Sequence, residues 1–431
     1  MTEPASAAVP APHRSEERQL VALALLGAAI GIPAAFVAAA FFALVHAIQH
    51  LLWTELPANL GYDGPPWFLV LGLPVAGAVL VVLARRLLPG NGGASPLRGL
   101  ESGPIPLAYA PGIALAALGT LAFGSVLGPE MPVIALGSVV GTFVAARARV
   151  PQQGTGVLAM AGSFSAISAL FGGPLVAGML LLEGGLAAGA RLLPLLVPGL
   201  VAAAIGYTIF VGLGSWGGLG EQSLAVPDLP TYAGTSVIDL AWGLVVGLAT
   251  AAAIVAIRRL AVAVDDRASR AGMAVALIGG GLAVGLLALS GGILGADPQD
   301  VLFSGQASIP VLVGGASTSV VLVLLAAKGL AYAISLGAGF RGGPIFPAVF
   351  IGVALASLGV TVAGMSPTLA IAVGSSAGMA AQTRLLISPL LFAALLVGPS
   401  GADAMPAAVL AVVSAWSLVA RLDPAPARRG V

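Results

Sequence analysis

GPEMPVIALG at residues 128–137 and GPIFPAVFIG at residues 343–352 fit one pattern, G-P-x-x-P-x-x-x-x-G, 215 positions apart in a chain of 431. At the same spacing, Pro174-Leu175 in GPLVAGMLLLE matches Pro389-Leu390 in SPLLFAALLVG. Sequence rich in Gly and Pro matches itself easily. Two matches at one spacing, equal to half the chain, point instead to an internal repeat. In each motif Gly-Pro reads as a break followed by a helix start, because Pro suits the first helical position.

Outward from these motifs the chain is apolar. It carries 18 Lys+Arg and 17 Asp+Glu, or 8% charged residues, against about 25% in an ordinary soluble domain. Hydrophobic residues make up 58%, and there are 60 Gly. So few charges could not cover the surface of a soluble protein of this size. A net charge of +1 leaves no basic patch to neutralise phosphates, which excludes nucleic-acid binding. The absence of Cys excludes disulfides, zinc–thiolate sites and thiol catalysis. What survives is an all-α polytopic membrane protein.

The first apolar run, residues 20–53, is too long for a cleavable signal and fits a long, tilted helix. A second span covers 67–88. Shorter segments follow at 112–127, 131–146, 157–170, 174–186 and 194–213. The second half continues with 237–257, 273–289, 317–336, 344–358, 367–380, 385–397 and 406–419. Many of these are near or below spanning length and interrupted by Gly or Pro. Broken helices at membrane depth are tolerated only where buried in protein or lining a wet cavity.

Charge placement orients the chain. Glu55 and Asp63 follow the first span, and Arg85, Arg86 and Arg98 follow the second. Residues 214–236 hold Glu221 and Asp228 without a basic residue, whereas 258–270 hold Arg258, Arg259, Arg267 and Arg270. Basic loops mark the cytoplasmic side, so the second half starts from the opposite face and the repeat is inverted. The expected organisation is a disordered cytoplasmic tail (1–18), a first repeat (19–213), an extracytoplasmic linker (214–236), a second repeat (237–422) and a short tail (423–431). Both termini are expected in the cytoplasm of a multi-pass inner-membrane protein. Inverted repeats place the substrate site near the midplane, at the ends of discontinuous helices.

Glu130 falls in the first turn of the helix that Gly128-Pro129 opens. Free N–H groups and the helix dipole make that turn an anion site. The Glu130 carboxylate can act there as a tethered anion that protonation releases. A first-turn Glu also stabilises ordinary surface helices, but the flanks here are apolar and an intramembrane carboxylate is costly. Pro344 opens the partner helix, whose first turn offers the N–H groups of Ile345 and Phe346. Inverted symmetry points them at the same place as the amides near Glu130 and Met131. A site of amides without fixed positive charge holds an anion weakly enough to release it. Glu183 ends the run PLVAGMLLLE, as a plain helix end or as a candidate proton-pathway residue. Lys328, inside VLVLLAAKGLAYAISL, fits a structural or electrostatic role. His46 and His50 are spaced i, i+4, yet with one further His in the chain they read as interfacial packing and not as a metal site.

These residues resemble the CLC family of chloride channels and proton/chloride exchangers, from about residue 20 to residue 422. The family's GREGP signature is similar to Gly128-Pro129-Glu130-Met131-Pro132, with Pro129 in place of Arg and Met131 in place of Gly. The resemblance implies that Glu130 is the gating glutamate. The GxFxP signature is similar to Gly343-Pro344-Ile345-Phe346-Pro347, with Phe one position late. Residues 161–183 and 377–396 resemble the paired dimer-interface regions. The GSGIP signature matches weakly. Its spacing points to Gly92-Gly93-Ala94-Ser95-Pro96, with Gly93 where the anion-coordinating Ser stands. Ser102-Gly103-Pro104-Ile105-Pro106 spells better but lies closer to Glu130. The pore Tyr of the last helix has no counterpart, since the last Tyr is Tyr332 and Trp416 occupies the final helix. The family's internal proton-transfer Glu is either Glu183 or absent.

The resemblance implies a CLC-type fold of two inverted repeats with short, tilted and broken helices. It implies a homodimer that carries chloride or a similar small anion, with proton coupling open and with no cofactor. Glu130 gates, and amides around Gly92–Pro96, Met131, Ile345 and Phe346 hold the anion. The rivals are a fluoride-selective or passive anion channel and, from another class, an intramembrane enzyme using Glu130 and Glu183 as acid and base. The enzyme reading suffers from the lack of a nucleophile, metal site or phosphate-binding motif.

Overall fold

The computed structural model describes residues 14–99, 103–185, 192–217 and 224–423. The first half contains α1 (Arg14–His50), which passes through one π-turn (Leu51–Glu55) into α2 (Leu56–Asn59). It continues with α3 (Trp67–Leu87), α4 (Ala110–Leu121), α5 (Glu130–Arg147), α6 (Gln152–Leu170), α7 (Pro174–Gly185) and α8 (Leu192–Gly217). The second half holds α9 (Val237–Ala271), α10 (Met273–Ile293), the short α11 (Pro298–Val301) and α12 (Ile309–Val313), and α13 (Thr318–Gly337). It closes with α14 (Ile345–Ala363), α15 (Pro367–Thr383), α16 (Ile387–Val397) and α17 (Met405–Leu422). Among the described residues, eight helices are long and apolar enough to cross a membrane.

Three expected boundaries move. Helix α1 starts at Arg14, so residues 14–18 are helical and not part of a disordered tail; Glu16 and Glu17 suit the first turn of a helix. Residues 258–270, expected as a basic loop, are the last turns of α9, which ends at Gly272 with φ 87°. The Arg residues there are good helix formers, and Arg267 donates to the carbonyl of Ala263 one turn back. The apolar run at 112–127 is helical only to Leu121. Its last carbonyls are taken by side chains of the first segment: Gln49 donates to Leu121 at 2.9 Å and Trp53 Nε1 to Ala122 at 3.0 Å. Gly124 then turns with φ 94°, and the chain reaches Gly128 without regular structure.

The repeat is visible in the packing. Helix α5 lies on α6 as α14 lies on α15. A Cβ on Gly137 would strike the Gly162 carbonyl, and a Cβ on Gly352 would strike the Gly374 carbonyl. The final Gly of each repeated motif is therefore the point where two backbones cross in contact, the small-residue packing that membrane helices use.

Residues 224–236 are tied to the second half. Val226 N–H donates to the Leu396 carbonyl at 2.9 Å, and Tyr232 N–H to the Ser400 carbonyl at 2.8 Å. Ser236 and Asp239 form a capping box that opens α9, and the Tyr232 hydroxyl donates to Asp239 at 2.6 Å. Burial first, and the neighbouring Asp239 next, push the Tyr232 hydroxyl up to about 12.

Candidate functional site

The two repeated motifs meet. Gly128 and Gly343 exchange both backbone hydrogen bonds, at 2.7 and 2.5 Å, in an isolated antiparallel bridge. Each Gly is followed by a Pro with near-helical dihedrals, Pro129 at φ −82°, ψ −2° and Pro344 at φ −93°, ψ −4°. The bridge therefore brings the N-termini of α5 and α14 together, as the inverted repeat requires.

Glu130 is fully buried at this junction. Its Oε1 accepts a hydrogen bond from the Phe346 N–H at 2.8 Å, so the first turn of α14 holds the carboxylate of α5. Its Oε2 is buried without a hydrogen-bond partner among the described residues. A buried, half-satisfied carboxylate is costly. A Cβ on Gly128 or Gly343 would overlap this carboxylate, so the carboxylate can hold this position only while both residues lack a side chain.

The holding amide is rigidly placed. The Phe346 ring stacks on Phe171 at 5.7 Å and meets Phe392 edge-on at 6.0 Å; Phe171 and Phe392 complete the cluster at 5.5 Å. The three rings come from α14, the end of α6 and α16. Phe346 sits one position later than the signature it resembles, and its own N–H is the one that meets Glu130. Ile345 is fully buried beside it.

Chain neighbours of Glu130 face two separate cavities. Leu127 and Pro129 line one of about 960 Å³, whose wall includes residues 224–227 and 302–310. Met131 and Pro132 line another of about 540 Å³, with Gly92, Gly93, Ala94 and Arg341. Glu130 itself lines neither, and its neighbours on its two sides in the chain face different cavities.

The segment 92–96 is only partly as expected. Gly92, Gly93 and Ala94 line the smaller cavity, but Ser95 and Pro96 do not. Gly92 and Gly93 have φ of 71° and 95°, and Pro96–Arg98 form a single 3-10 turn and not a helix. The competing match contributes to the same wall: Gly103, Pro104 and Ile105 line the cavity, pinned by Ser138, which donates to the Gly103 carbonyl and accepts from Ile105 N–H. Ser102 lies outside the described residues.

The polar residues beyond Glu130 are anchored. Glu183 accepts from the N–H groups of Leu386, Ile387 and Ser388 at 2.8, 2.8 and 2.7 Å and from the Ser388 hydroxyl at 2.5 Å. It ties the end of α7 to the start of α16, the two helices that the second repeat match pairs. Lys328 is fully buried; its Nζ donates to the carbonyls of Asp300, Val301 and Leu302 at 2.8, 3.3 and 2.6 Å and lies 4.7 Å from the Phe350 ring centre. The expected structural role fits this cage. His46 and His50 bind different partners, the Phe42 carbonyl and Glu55.

Two groups escaped the sequence reading. Tyr332, fully buried on α13, donates its hydroxyl to the Pro344 carbonyl at 2.7 Å, with Gln382 Oε1 at 3.3 Å. A Tyr therefore sits against the start of α14 although the final helix lacks one; Trp416 of that helix donates to the Arg384 carbonyl instead. Its signal was a lone Tyr one helical turn after Lys328 in an apolar run. The second is Arg341. The pathway was expected to be almost free of fixed positive charge, but Arg341 is 6% exposed and lines the smaller cavity. The expectation failed because Arg341, next to Gly342-Gly343, reads in sequence as a loop residue.

The chain belongs to the voltage gated chloride channel family, whose model matches residues 77–419. Its activity is thereby anion transport in the membrane. Among relatives it is 31% identical over 355 residues to the "Putative ion-transport protein YfeO" of Escherichia coli O139:H28, covering 78% of this chain and 79% of that one. The same protein from Escherichia coli O1:K1 matches at 31% with the same coverage. Among solved structures it is similar to a slow cyanobacterial Cl-/H+ antiporter, with TM-score 0.76, 16% identity and 96% of each chain covered. It is also similar to a CLC-type fluoride/proton antiporter, with TM-score 0.71, 21% identity, and 94% of this chain and 96% of that one covered. The CLC fold of two inverted repeats is thus the fold of this chain.

Proposed function

We propose that this protein moves chloride or a similarly small anion between the two cavities in exchange for protons, with Glu130 as the gate. The observation that carries the reading is the Glu130 carboxylate on the Phe346 N–H. The first turn of α14 is an anion site, and a tethered anion occupies it. A permeating anion must displace that carboxylate, and protonating it removes the charge that holds it there. The unsatisfied Oε2 favours displacement. Proton coupling agrees with the antiporters that the fold is similar to.

Met131, Gly92, Gly93 and Ala94 form the wall from which the anion approaches, and Ile345 and Phe346 form the seat it takes. Glu183 serves as an anchor, because the four hydrogen bonds it accepts tie the end of α7 to the start of α16 and hold both carboxylate oxygens. Those bonds also weigh against an intramembrane enzyme, since Glu130 and Glu183 are held by different helix starts. The working unit is a homodimer in the inner membrane with one pathway per subunit. The termini and the Arg85–Arg98 segment lie in the cytoplasm, so the smaller cavity is the inner one.

Purified protein in liposomes tests the reading, with efflux of chloride, nitrate and fluoride recorded alongside proton uptake. Anion efflux that drives proton uptake supports it. Anion efflux with no proton movement makes the protein a passive channel, and fluoride efflux without chloride efflux makes it fluoride-selective.

A further inference from the structure

Tyr332 is fully buried on α13 and lines neither of the two cavities. Its hydroxyl proton goes to the Pro344 carbonyl at 2.7 Å. A hydroxyl has one hydrogen, so it cannot also serve Gln382 Oε1 at 3.3 Å. A half-turn of the Gln382 amide, which leaves its shape unchanged, lets its NH2 donate to the Tyr332 oxygen instead. Gln382 on α15, Tyr332 on α13 and Pro344 at the start of α14 then form one chain of donors. Pro344 is the N-cap of α14. Its carbonyl and the Ile345 N–H are the two ends of one planar, trans peptide group and point in opposite directions. Holding the carbonyl therefore fixes the line of the N–H. It also polarises the group, because hydrogen bonds in a chain strengthen one another by about 10–30% per bond. Pro344 and Pro347 have no N–H, so the anion seat on this turn consists of the Ile345 and Phe346 amides. Both act on the Glu130 carboxylate, Phe346 at 2.8 Å. The Phe346 amide is braced by its own ring, packed on Phe171 and Phe392. The brace for the Ile345 amide is Tyr332.

We propose that Tyr332 is a positioning residue of the anion seat: acting through the Pro344–Ile345 peptide, its hydroxyl aims and strengthens the Ile345 N–H that receives the anion. The inference rests on the anion-transport reading above and deepens it. Tyr332 does not touch the anion, since its one proton is on the Pro344 carbonyl. Its effect depends on the ligand. The attraction between a donor and an anion rises as the charge comes closer. A compact halide therefore gains more from a strengthened amide than nitrate, whose charge is spread over three oxygens. Tyr332 thus tunes the seat toward small, charge-dense anions.

The test is calorimetric titration of the purified full-length protein with sodium chloride and with sodium nitrate. Glu130→Gln is the parent, because its neutral side chain leaves no tethered anion to compete for the amides. Adding Tyr332→Phe removes the hydroxyl and keeps the ring. It is expected to weaken chloride binding at least about twofold, and nitrate binding by less. A hydroxyl that only stabilised the fold would lower the melting temperature and leave the chloride-to-nitrate ratio in place. Chloride affinity within about twofold of the parent, or an equal loss for both anions, overturns the proposal. If the variant does not elute as a single species, 3-fluorotyrosine at position 332 takes its place. Its more acidic hydroxyl donates more strongly from the same place, so chloride binding is expected to tighten; unchanged or weaker binding overturns the proposal. Failure of the transport reading looks different: wild type and Glu130→Gln then bind neither anion. If Glu130→Gln binds both and the changes at position 332 move neither affinity, the role of Tyr332 alone is wrong.

Discussion

The Glu130 carboxylate accepts the backbone N–H of Phe346 at 2.8 Å, from one half of the chain to the other. Each half contributes what the other lacks: α5 brings the anion and α14 brings the helix start that binds it. The pairing rests on Gly128 and Gly343, whose hydrogen bonds hold the two helix starts together. The consequences can be tested one group at a time.

Gly343→Ala puts a methyl group where the Glu130 carboxylate lies. Either the carboxylate leaves the Phe346 N–H or the bridge to Gly128 opens. Overpacking of this kind costs about 1–3 kcal/mol. A lower unfolding temperature is expected, with transport that no longer responds to pH. A variant as stable and as pH-sensitive as wild type would show that the seat is wrongly placed.

Glu183 as an anchor and Glu183 as a proton relay make opposite forecasts. Loss of a helix cap costs about 0.5–2 kcal/mol, so Glu183→Ala should melt earlier. Glu183→Gln still offers an accepting oxygen and should keep most of the proton coupling. A Gln variant of normal stability that moves anions without protons would establish the relay.

Lys328→Met keeps an unbranched apolar stem, one atom shorter, and strips three carbonyls of their donor. Each buried acceptor left unsatisfied costs about 1–3 kcal/mol. The expected result is a marked loss of thermal stability, with anion selectivity retained in the protein that folds. Unchanged stability together with altered selectivity would make Lys328 an ion ligand.

Tyr232 gives a pH signature outside the membrane helices. An unfolded Tyr titrates near about 10, and burial beside Asp239 raises the folded value to about 12. The protonated phenol is thus favoured in the folded protein. Its stabilisation is complete below pH about 10 and lost as pH rises toward about 12. Melting curves across that window should fall more steeply for wild type than for Tyr232→Phe. Parallel curves would contradict the half-buried hydrogen bond to Asp239.

The sequence made the architecture legible because the evidence for it is periodic and local. Gly-Pro marks both helix starts, and the common spacing marks the repeat. The charge pattern told the halves apart even though residues 258–270 are helix and not loop. The motif's last Gly was visible, but its reason, a backbone crossing at Gly137–Gly162 and again at Gly352–Gly374, was not. Glu130 stood out because a carboxylate in an apolar run is conspicuous. Its partner's N–H was predictable because Pro344 has to start a helix. Tyr332 and Arg341 were not predictable. Tyr332 reaches the start of α14 and Arg341 the smaller cavity through the path of other segments, Tyr332 by lying under Pro344 and Arg341 by closing onto Asn91. Short-range pattern carries no record of such contacts. The segment 92–96 was hard for a related reason: two loops share one cavity wall, so spacing alone could not choose between them.

The central claim is that the Glu130 charge couples anion and proton movement, and Glu130→Gln measures it most directly. Gln keeps the size and an accepting oxygen but cannot carry the negative charge or exchange a proton. In liposomes loaded with chloride, anion efflux and proton uptake are recorded together for wild type and variant. The account predicts that wild type takes up protons as chloride leaves, while Glu130→Gln passes chloride with proton uptake reduced to the background of empty vesicles. Proton uptake by Glu130→Gln at the wild-type ratio to chloride would contradict it.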